Sequence, residues 1–158
     1  MSLYTTWLAD EAATEALGAA LAERLAHGAV LHLRGELGAG KTTLTRGLLR
    51  ALGHSGPVKS PSYTLVESYE TATLRVHHFD LYRLRDPTEL DDIGVRDYLD
   101  GEAVLVIEWP ERGGASAPEA DLVVELGIEG VGRRARCSAS SPRGAAIVAA
   151  LGSTRSRA

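Results

Sequence analysis

Gly35-Glu36-Leu37-Gly38-Ala39-Gly40-Lys41-Thr42 fits the pattern G-x-x-x-x-G-K-[ST], whose chemistry is the cradling of a polyphosphate. Glycines let successive backbone N–H groups curl around phosphate oxygens, and a helix opening at the end of the loop adds partial positive charge. Gly35, Glu36, Gly38, Ala39, Gly40, Lys41, Thr42 and Thr43 are therefore the expected nucleotide seat. Within it, Lys41 is expected to reach the β- and γ-phosphates of ATP and to act in catalysis. The Thr42 hydroxyl is expected to ligate the Mg²⁺ that bridges those phosphates. The chain has 15 Arg but only two Lys, Lys41 and Lys59, and one of the two fills the motif's lysine position.

Such a loop requires an acidic partner, because Mg²⁺ has to be held and the attacking water positioned. Two carboxylates stand at the ends of strand-like runs. Glu108 follows Val104-Leu105-Val106-Ile107, and Asp80 ends the less apolar run over residues 74–79. The more apolar run makes the more buried strand, so Glu108 is expected to lie nearer the phosphates as the metal ligand, leaving turnover to Asp80. Trp109, locked by Pro110, is expected at the mouth of the site, where it could stack on adenine. Ser60-Pro61-Ser62-Tyr63-Thr64 is a hydroxyl-rich loop of the kind that senses a γ-phosphate. His77 and His78 are neighbours on a strand, so they point to opposite faces and cannot chelate one ion together. They read as core or surface histidines.

The elements that position these groups follow from periodicity. Asp10 is placed to cap a helix with an apolar face of Ala13, Leu17, Leu21 and Leu25, ended by Gly28. Residues 29–34 read as a buried strand, the phosphate loop follows, and a helix over 42–52 buries Leu44, Leu48 and Leu52. Two prolines keep 56–62 irregular. Residues 63–69 and 74–80 pattern as a hairpin. Asp86-Pro87-Thr88-Glu89-Leu90 is a capped helix start, with a second short helix over 95–99. Residues 103–107, the most apolar run, predict a central strand, and 111–120 a loop. Residues 121–129 and 133–140 predict a second hairpin turning near Gly130 and Gly132, and a last helix runs from Ser141 or Pro142 to Leu151. One β–loop–α unit followed by two hairpins predicts an α/β fold, a single P-loop NTPase domain over residues 1–152. Its central sheet is expected to be mixed parallel and antiparallel, flanked by helices, with nucleotide at the carboxyl ends of the parallel strands. Residues 153–158 form a short basic tail expected to fray.

Composition narrows the function classes. At 158 residues, with 44% hydrophobic and 24% charged residues, the chain reads as an ordinary globule. No run approaches the roughly 18 apolar residues of a membrane span, and the first residues lack a signal-peptide pattern. Cys137 is alone, so it makes no intrachain disulfide and is expected to be a small buried residue in a cytoplasmic protein. A net charge of -4 without a basic stripe argues against free-standing nucleic-acid binding.

The phosphate loop is followed, in order, by Val58-Lys59-Ser60-Pro61-Ser62-Tyr63-Thr64-Leu65-Val66 and His78-Phe79-Asp80-Leu81-Tyr82-Arg83-Leu84. Then come Glu89-Leu90, Ile93-Gly94 and Glu108-Trp109-Pro110-Glu111. This combination resembles the bacterial TsaE (YjeE) family over about residues 5–151. The resemblance implies a cytoplasmic ATPase that binds ATP, ADP and Mg²⁺ and assembles with TsaD and TsaB subunits. Those subunits transfer threonylcarbamoyl to the adenosine next to the anticodon of tRNA. The ATPase is weak alone and supports turnover of the complex, meeting tRNA only indirectly and no membrane. Carried over by motif, Lys41 contacts phosphate, Thr42 and Glu108 hold Mg²⁺, Asp80 is the catalytic carboxylate and Trp109 flanks the nucleotide. Gly132-Arg133 resembles a late Gly-Arg pair of the family, which brings Arg133 near the nucleotide. Ser62 stands where members commonly have Thr, and Arg134 where an acid is frequent. Two other readings use the same loop. One is a small phosphotransferase, which needs an acceptor pocket and an Arg-bearing lid, yet residues 53–62 and 111–120 hold only Arg112. The other is a nucleotide-dependent binding module that never hydrolyses.

Overall fold

Val104, Leu105, Val106 and Ile107 offer no polar face, so the strand they form has to be covered on both sides, and each is at most 1% exposed. The structure is a computed structural model and describes residues 2–25 and 27–156, the side chains of 153–156 excepted. In chain order the elements are β1 (Leu3–Leu8), α1 (Glu11–Ala22), β2 (Ala29–Arg34), α2 (Lys41–Ala51), β3 (Val66–Glu70) and β4 (Arg75–Asp80). They continue with α3 (Thr88–Asp92), a 3₁₀ turn (Val95–Tyr98), β5 (Val104–Glu108), a second 3₁₀ segment (Pro110–Ser116), β6 (Leu122–Glu129), β7 (Gly132–Ala139) and α4 (Pro142–Ser156).

One seven-stranded sheet runs β1-β7-β6-β2-β5-β4-β3. β2 pairs in parallel with β5 and β6, and β5 in parallel with β4. The pairs β1–β7, β3–β4 and β6–β7 are antiparallel. The sheet is thus mixed, with β5 in its interior and both expected hairpins present. Alternation along β5 divides the core. Val104 and Val106 join Leu31, Leu33, Leu44, Leu48, Ile147 and Leu151 in the layer built with α1, α2 and α4. Leu105 and Ile107 join Phe79, Leu81, Leu90 and Val95 in the layer under α3 and the 3₁₀ turn. Full burial of each such aliphatic side chain contributes about 1.5–3 kcal/mol.

Local chemistry accounts for the boundaries. Asp10 caps α1 as expected, its carboxylate accepting the Ala13 N–H at 2.9 Å. The helix ends at Ala22 rather than near Gly28, because Arg24 and Leu25 donate to carbonyls three residues back, at Leu21 and Ala22. Leu25 stays buried through this tightened turn, which is why the apolar period overruns the helix. β3 begins at Val66 rather than Tyr63: the Leu65 N–H closes a turn onto the Pro61 carbonyl and Tyr63 is 82% exposed. The segment expected as a loop over 111–120 is largely 3₁₀. β1 has no counterpart in the periodicity, since only Leu8 of its six residues is buried; pairing with β7 makes it a strand. Cys137 is buried, and desolvation pushes its thiol up to about 12, so it is inert packing. α4 passes the expected end at Leu151 to reach Ser156, while Arg157 and Ala158 of the expected tail lie outside the described residues.

α1 and α2 touch backbone to backbone. A Cβ on Gly18 would lie 2.1 Å from the Leu44 carbonyl oxygen, and one on Gly47 2.1 Å from that of Glu15. This contact fixes the helix that carries Lys41 and Thr42. Gly47→Ala is expected to destabilise the protein by about 1–2 kcal/mol, the overpacking cost of roughly 1–3 kcal/mol exceeding the helix-propensity gain of about 1 kcal/mol. Thermal unfolding followed by circular dichroism would then show a midpoint lower by roughly 2–8 °C; an unchanged midpoint would mean the helices do not approach so closely.

Candidate nucleotide-binding site

The loop between β2 and α2 is shaped by glycines at positive φ, Gly35, Gly38 and Gly40. Gly35 has φ +149°, and a Cβ there would sit 2.5 Å from the Leu126 carbonyl oxygen. Gly40, at φ +107°, is the N-cap of α2, and no side chain caps that helix start. The N–H groups of its first turn are left for an anion, the arrangement a phosphate requires. Lys41 is 6% exposed and its Nζ donates to the loop carbonyls of Gly35 and Glu36, the latter at 3.1 Å. Burial pushes its ammonium below the usual lysine range, opposed by the negative charges of Glu108 and Asp80.

Strand register delivers the two carboxylates. Asp80 and Glu108 end β4 and β5 as direct register partners, and Glu108 is level with Leu33, two residues before Gly35. Both are buried, at 4% and 3% exposure. The Thr42 hydroxyl donates to Glu108 Oε2 at 3.1 Å, so the loop's hydroxyl and the carboxylate expected to share a metal are in contact. Asp80 accepts from the Ser60 hydroxyl and, at 3.0 Å, from the Tyr82 N–H. Among the described residues no group of three His, Cys, Asp or Glu forms a closed ligand set. One hydroxyl and one carboxylate, both hard oxygen donors beside a phosphate seat, fit Mg²⁺, which keeps waters and phosphate oxygens as its other ligands.

A cleft of about 640 Å³ gathers Lys41, Thr42, Ser60, Asp80, Glu108 and Trp109. Trp109 sits in the left-handed region, φ +58°, where a bulky residue stores about 1–3 kcal/mol of strain. That bend turns its ring over Lys41 Nζ, 4.5 Å from the ring centroid, and against Tyr82 at 5.0 Å. The ring therefore lines the cleft on the side of Lys41, at the phosphate loop. A separate cavity of about 150 Å³ opens on the other side of the loop, between Gly38, Ala39, Gly40 and Thr43 and residues Leu8, Thr14 and Val131. Arg133 borders it. Its guanidinium donates to the Ala39 carbonyl at 3.2 Å and the Gly38 carbonyl at 3.0 Å, tying the β6–β7 turn to the loop.

Three of these contributors were not assigned a role by sequence. His78 lies on the face of β4 that Asp80 shares, and its Nε2 is 2.6 Å from Glu108 Oε2. The two-residue spacing of His78 and Asp80 carried that signal. Ser60 was legible only as one hydroxyl of a loop, and its bond to Asp80 is tertiary. Arg83 lines the cleft, its guanidinium stacked 4.2 Å from the Tyr63 ring centroid.

The chain matches the family model for threonylcarbamoyl adenosine biosynthesis protein TsaE over residues 8–136. It is 42% identical over 156 residues to the tRNA threonylcarbamoyladenosine biosynthesis protein TsaE of Haemophilus influenzae, covering 96% of this chain and 99% of that protein. It is 41% identical over 110 residues to the protein of the same name from Nostoc, covering 67% of each. The fold matches the crystal structure of Bacillus subtilis YdiB with a TM-score of 0.84 at 25% sequence identity, over 98% of both chains.

With Lys41 over its ring, Trp109 is expected to report the loop. In a Trp7→Phe background, where Trp109 is the remaining tryptophan, emission is expected to change on adding ATP or ADP. Replacing Lys41 by Met in that background is expected to alter the emission of the free protein as well, because the cation leaves the ring. An unaltered spectrum in both experiments would remove Trp109 from the site.

Proposed function

The chain belongs to the TsaE family, and from that membership we propose that it is a cytoplasmic ATPase that binds ATP, ADP and Mg²⁺ and supports threonylcarbamoyl transfer to tRNA. The observation that carries this reading is the contact between the Thr42 hydroxyl and Glu108 beside the phosphate loop, with Asp80 one strand away. Bound there, Mg²⁺ would neutralise phosphate charge. The backbone N–H groups of residues 38–43 would hold the polyphosphate, and Lys41, which donates to the Gly35 and Glu36 carbonyls, would pair with its β- and γ-oxygens. Asp80 is the group left to orient an attacking water, and Ser60 holds it until the 60–64 loop moves. The base would fall to the cavity beside Val131 and Arg133, which adjoins the loop.

The contacts of the arginines support slow hydrolysis by the isolated chain. Arg133 is spent on loop carbonyls, Arg83 on Tyr63, and Arg112 lies over Tyr82 and Trp109. With these three engaged in such contacts, charge stabilisation beyond Lys41 would come from a rearrangement that TsaD-like and TsaB-like partners drive. The tRNA is met through those subunits. No helix among the described residues is long and apolar enough to cross a membrane.

Lys41→Ala is expected to weaken ATP binding by about 10- to 150-fold, the worth of a charge-assisted contact of roughly 1.5–3 kcal/mol, and ADP binding by less. Calorimetry with equal ATP affinity in both proteins would contradict the placement of Lys41. Single-turnover hydrolysis is expected to accelerate when the chain is reconstituted with TsaD-like and TsaB-like subunits, by about 10³- to 10⁵-fold if they supply an arginine. Asp80→Ala is expected to abolish that turnover while nucleotide stays bound. A rate constant of about 1 s⁻¹ or more for the isolated chain, unchanged by partners, would favour a self-sufficient ATPase or kinase.

A further inference from the structure

His78 is fully buried, and Glu108 Oε2 receives both its Nε2 at 2.6 Å and the Thr42 hydroxyl at 3.1 Å. The other ring nitrogen, Nδ1, is buried without a hydrogen-bond partner. These two facts assign the tautomer. A proton on Nδ1 would be a buried donor with no acceptor, and it would leave the Nε2 lone pair facing a carboxylate oxygen. A proton on Nε2 makes a short bond to that oxygen and leaves only a lone pair unmatched, the lesser penalty. His78 therefore donates through Nε2.

The consequence lies at Glu108. One of its oxygens is occupied by two donors from opposite sides, Thr42 on the phosphate-loop helix and His78 on the neighbouring strand. The carboxylate is held in one orientation, and its second oxygen, which accepts no hydrogen bond from the described residues, is left for the cleft that Glu108 lines. Without His78, a single hydroxyl would hold a side chain with three rotatable bonds, and the carboxylate could turn toward Lys41 or Asp80. We propose that His78 is the positioning residue of the metal side of this site: its Nε2–H fixes Glu108 in the orientation that receives Mg²⁺ with the nucleotide. This rests on the reading of Glu108 as the Mg²⁺-side carboxylate. Outer-shell hydrogen bonds of this kind are worth about 10- to 100-fold in metal affinity.

The test measures nucleotide binding rather than turnover. ADP affinity is titrated by calorimetry with Mg²⁺ and with excess chelator, for the wild type, Glu108→Gln, His78→Phe and His78→Gln. Glutamine places an amide N–H near the position of the imidazole Nε2, whereas phenylalanine fills the space without a donor. The expected result is a Mg²⁺-dependent gain in affinity that falls about 10- to 100-fold in His78→Phe and is largely restored in His78→Gln. Affinity in chelator is expected to be the same in all His78 variants. Full Mg²⁺ dependence in His78→Phe would overturn the proposal, as would equal losses with and without the ion, which mark a merely structural role. If the phenylalanine variant does not fold, nitrogen-15 spectra of the wild-type imidazoles decide, with the His78 resonances assigned through His78→Gln. A proton on Nε2, with a resonance that shifts on adding Mg²⁺ and ADP, supports the proposal, and a proton on Nδ1 refutes it. A wild type without any Mg²⁺ effect, or a Glu108→Gln variant that keeps it, would instead refute the underlying metal reading, whatever His78 does.

Discussion

Everything at the site depends on the parallel pairing of β5 between β2 and β4. Parallel strands end at the same edge of a sheet, so this register brings the start of the phosphate loop, Glu108 and Asp80 to one line. It also sets two buried carboxylates side by side. At an interstrand spacing of about 4.8 Å, two unit charges repel by roughly 3 kcal/mol at an effective dielectric near 20. The surroundings offset this with donors on each: Ser60 and the Tyr82 N–H on Asp80, Thr42 and His78 on Glu108. Lys41 is the one buried lysine near them, so the trio carries a formal charge of one minus before anything binds. A divalent cation arriving with a polyphosphate suits such a site, because each component compensates the others.

The rest of the fold keeps that edge in place. α2 carries Lys41 and Thr42, and its position is set by a helix contact so close that glycine is needed on both sides, at Gly18 and Gly47. The far side of the loop is tied down by Arg133 from the β6–β7 turn, through the Ala39 and Gly38 carbonyls. Strain is concentrated where the chain must turn abruptly beside the cleft. Trp109 and Leu65 are the non-glycine residues with positive φ among the described residues; one follows Glu108, and the other gives its carbonyl to the Asp80 N–H. Each bend holds a carboxylate-bearing strand end from outside the sheet.

The groups around this frame face solvent. Tyr63 is largely exposed and contacts Arg83, and Leu37 at the tip of the phosphate loop is 62% exposed. Buried carboxylates and exposed loop residues thus stand side by side at one edge, and an exposed segment of that kind is what the proposed response to a γ-phosphate would use.

Much of this was written in local sequence. The phosphate loop is contiguous, so eight neighbouring residues declare its chemistry; the all-apolar run 104–107 requires an interior strand; Asp10 and Asp86 mark helix starts by short-range hydrogen bonds. The family resemblance, likewise carried by short motifs, agrees with the match over residues 8–136. What sequence left open is what depends on partners distant in the chain. β1 is a strand only because β7 lies beside it, and α1 ends where tightened turns replace a period that Leu25 still obeys. His78 looked like an unremarkable core histidine because its partner, Glu108, is thirty residues away. Arg133 is expected near the nucleotide from its motif, but its bonds to the Gly38 and Ala39 carbonyls of a loop about ninety residues earlier are visible only in the fold. Periodicity and motif report what a residue does with its near neighbours; the pairing of strands and the direction of a side chain across the sheet are long-range choices, and packing alone makes them.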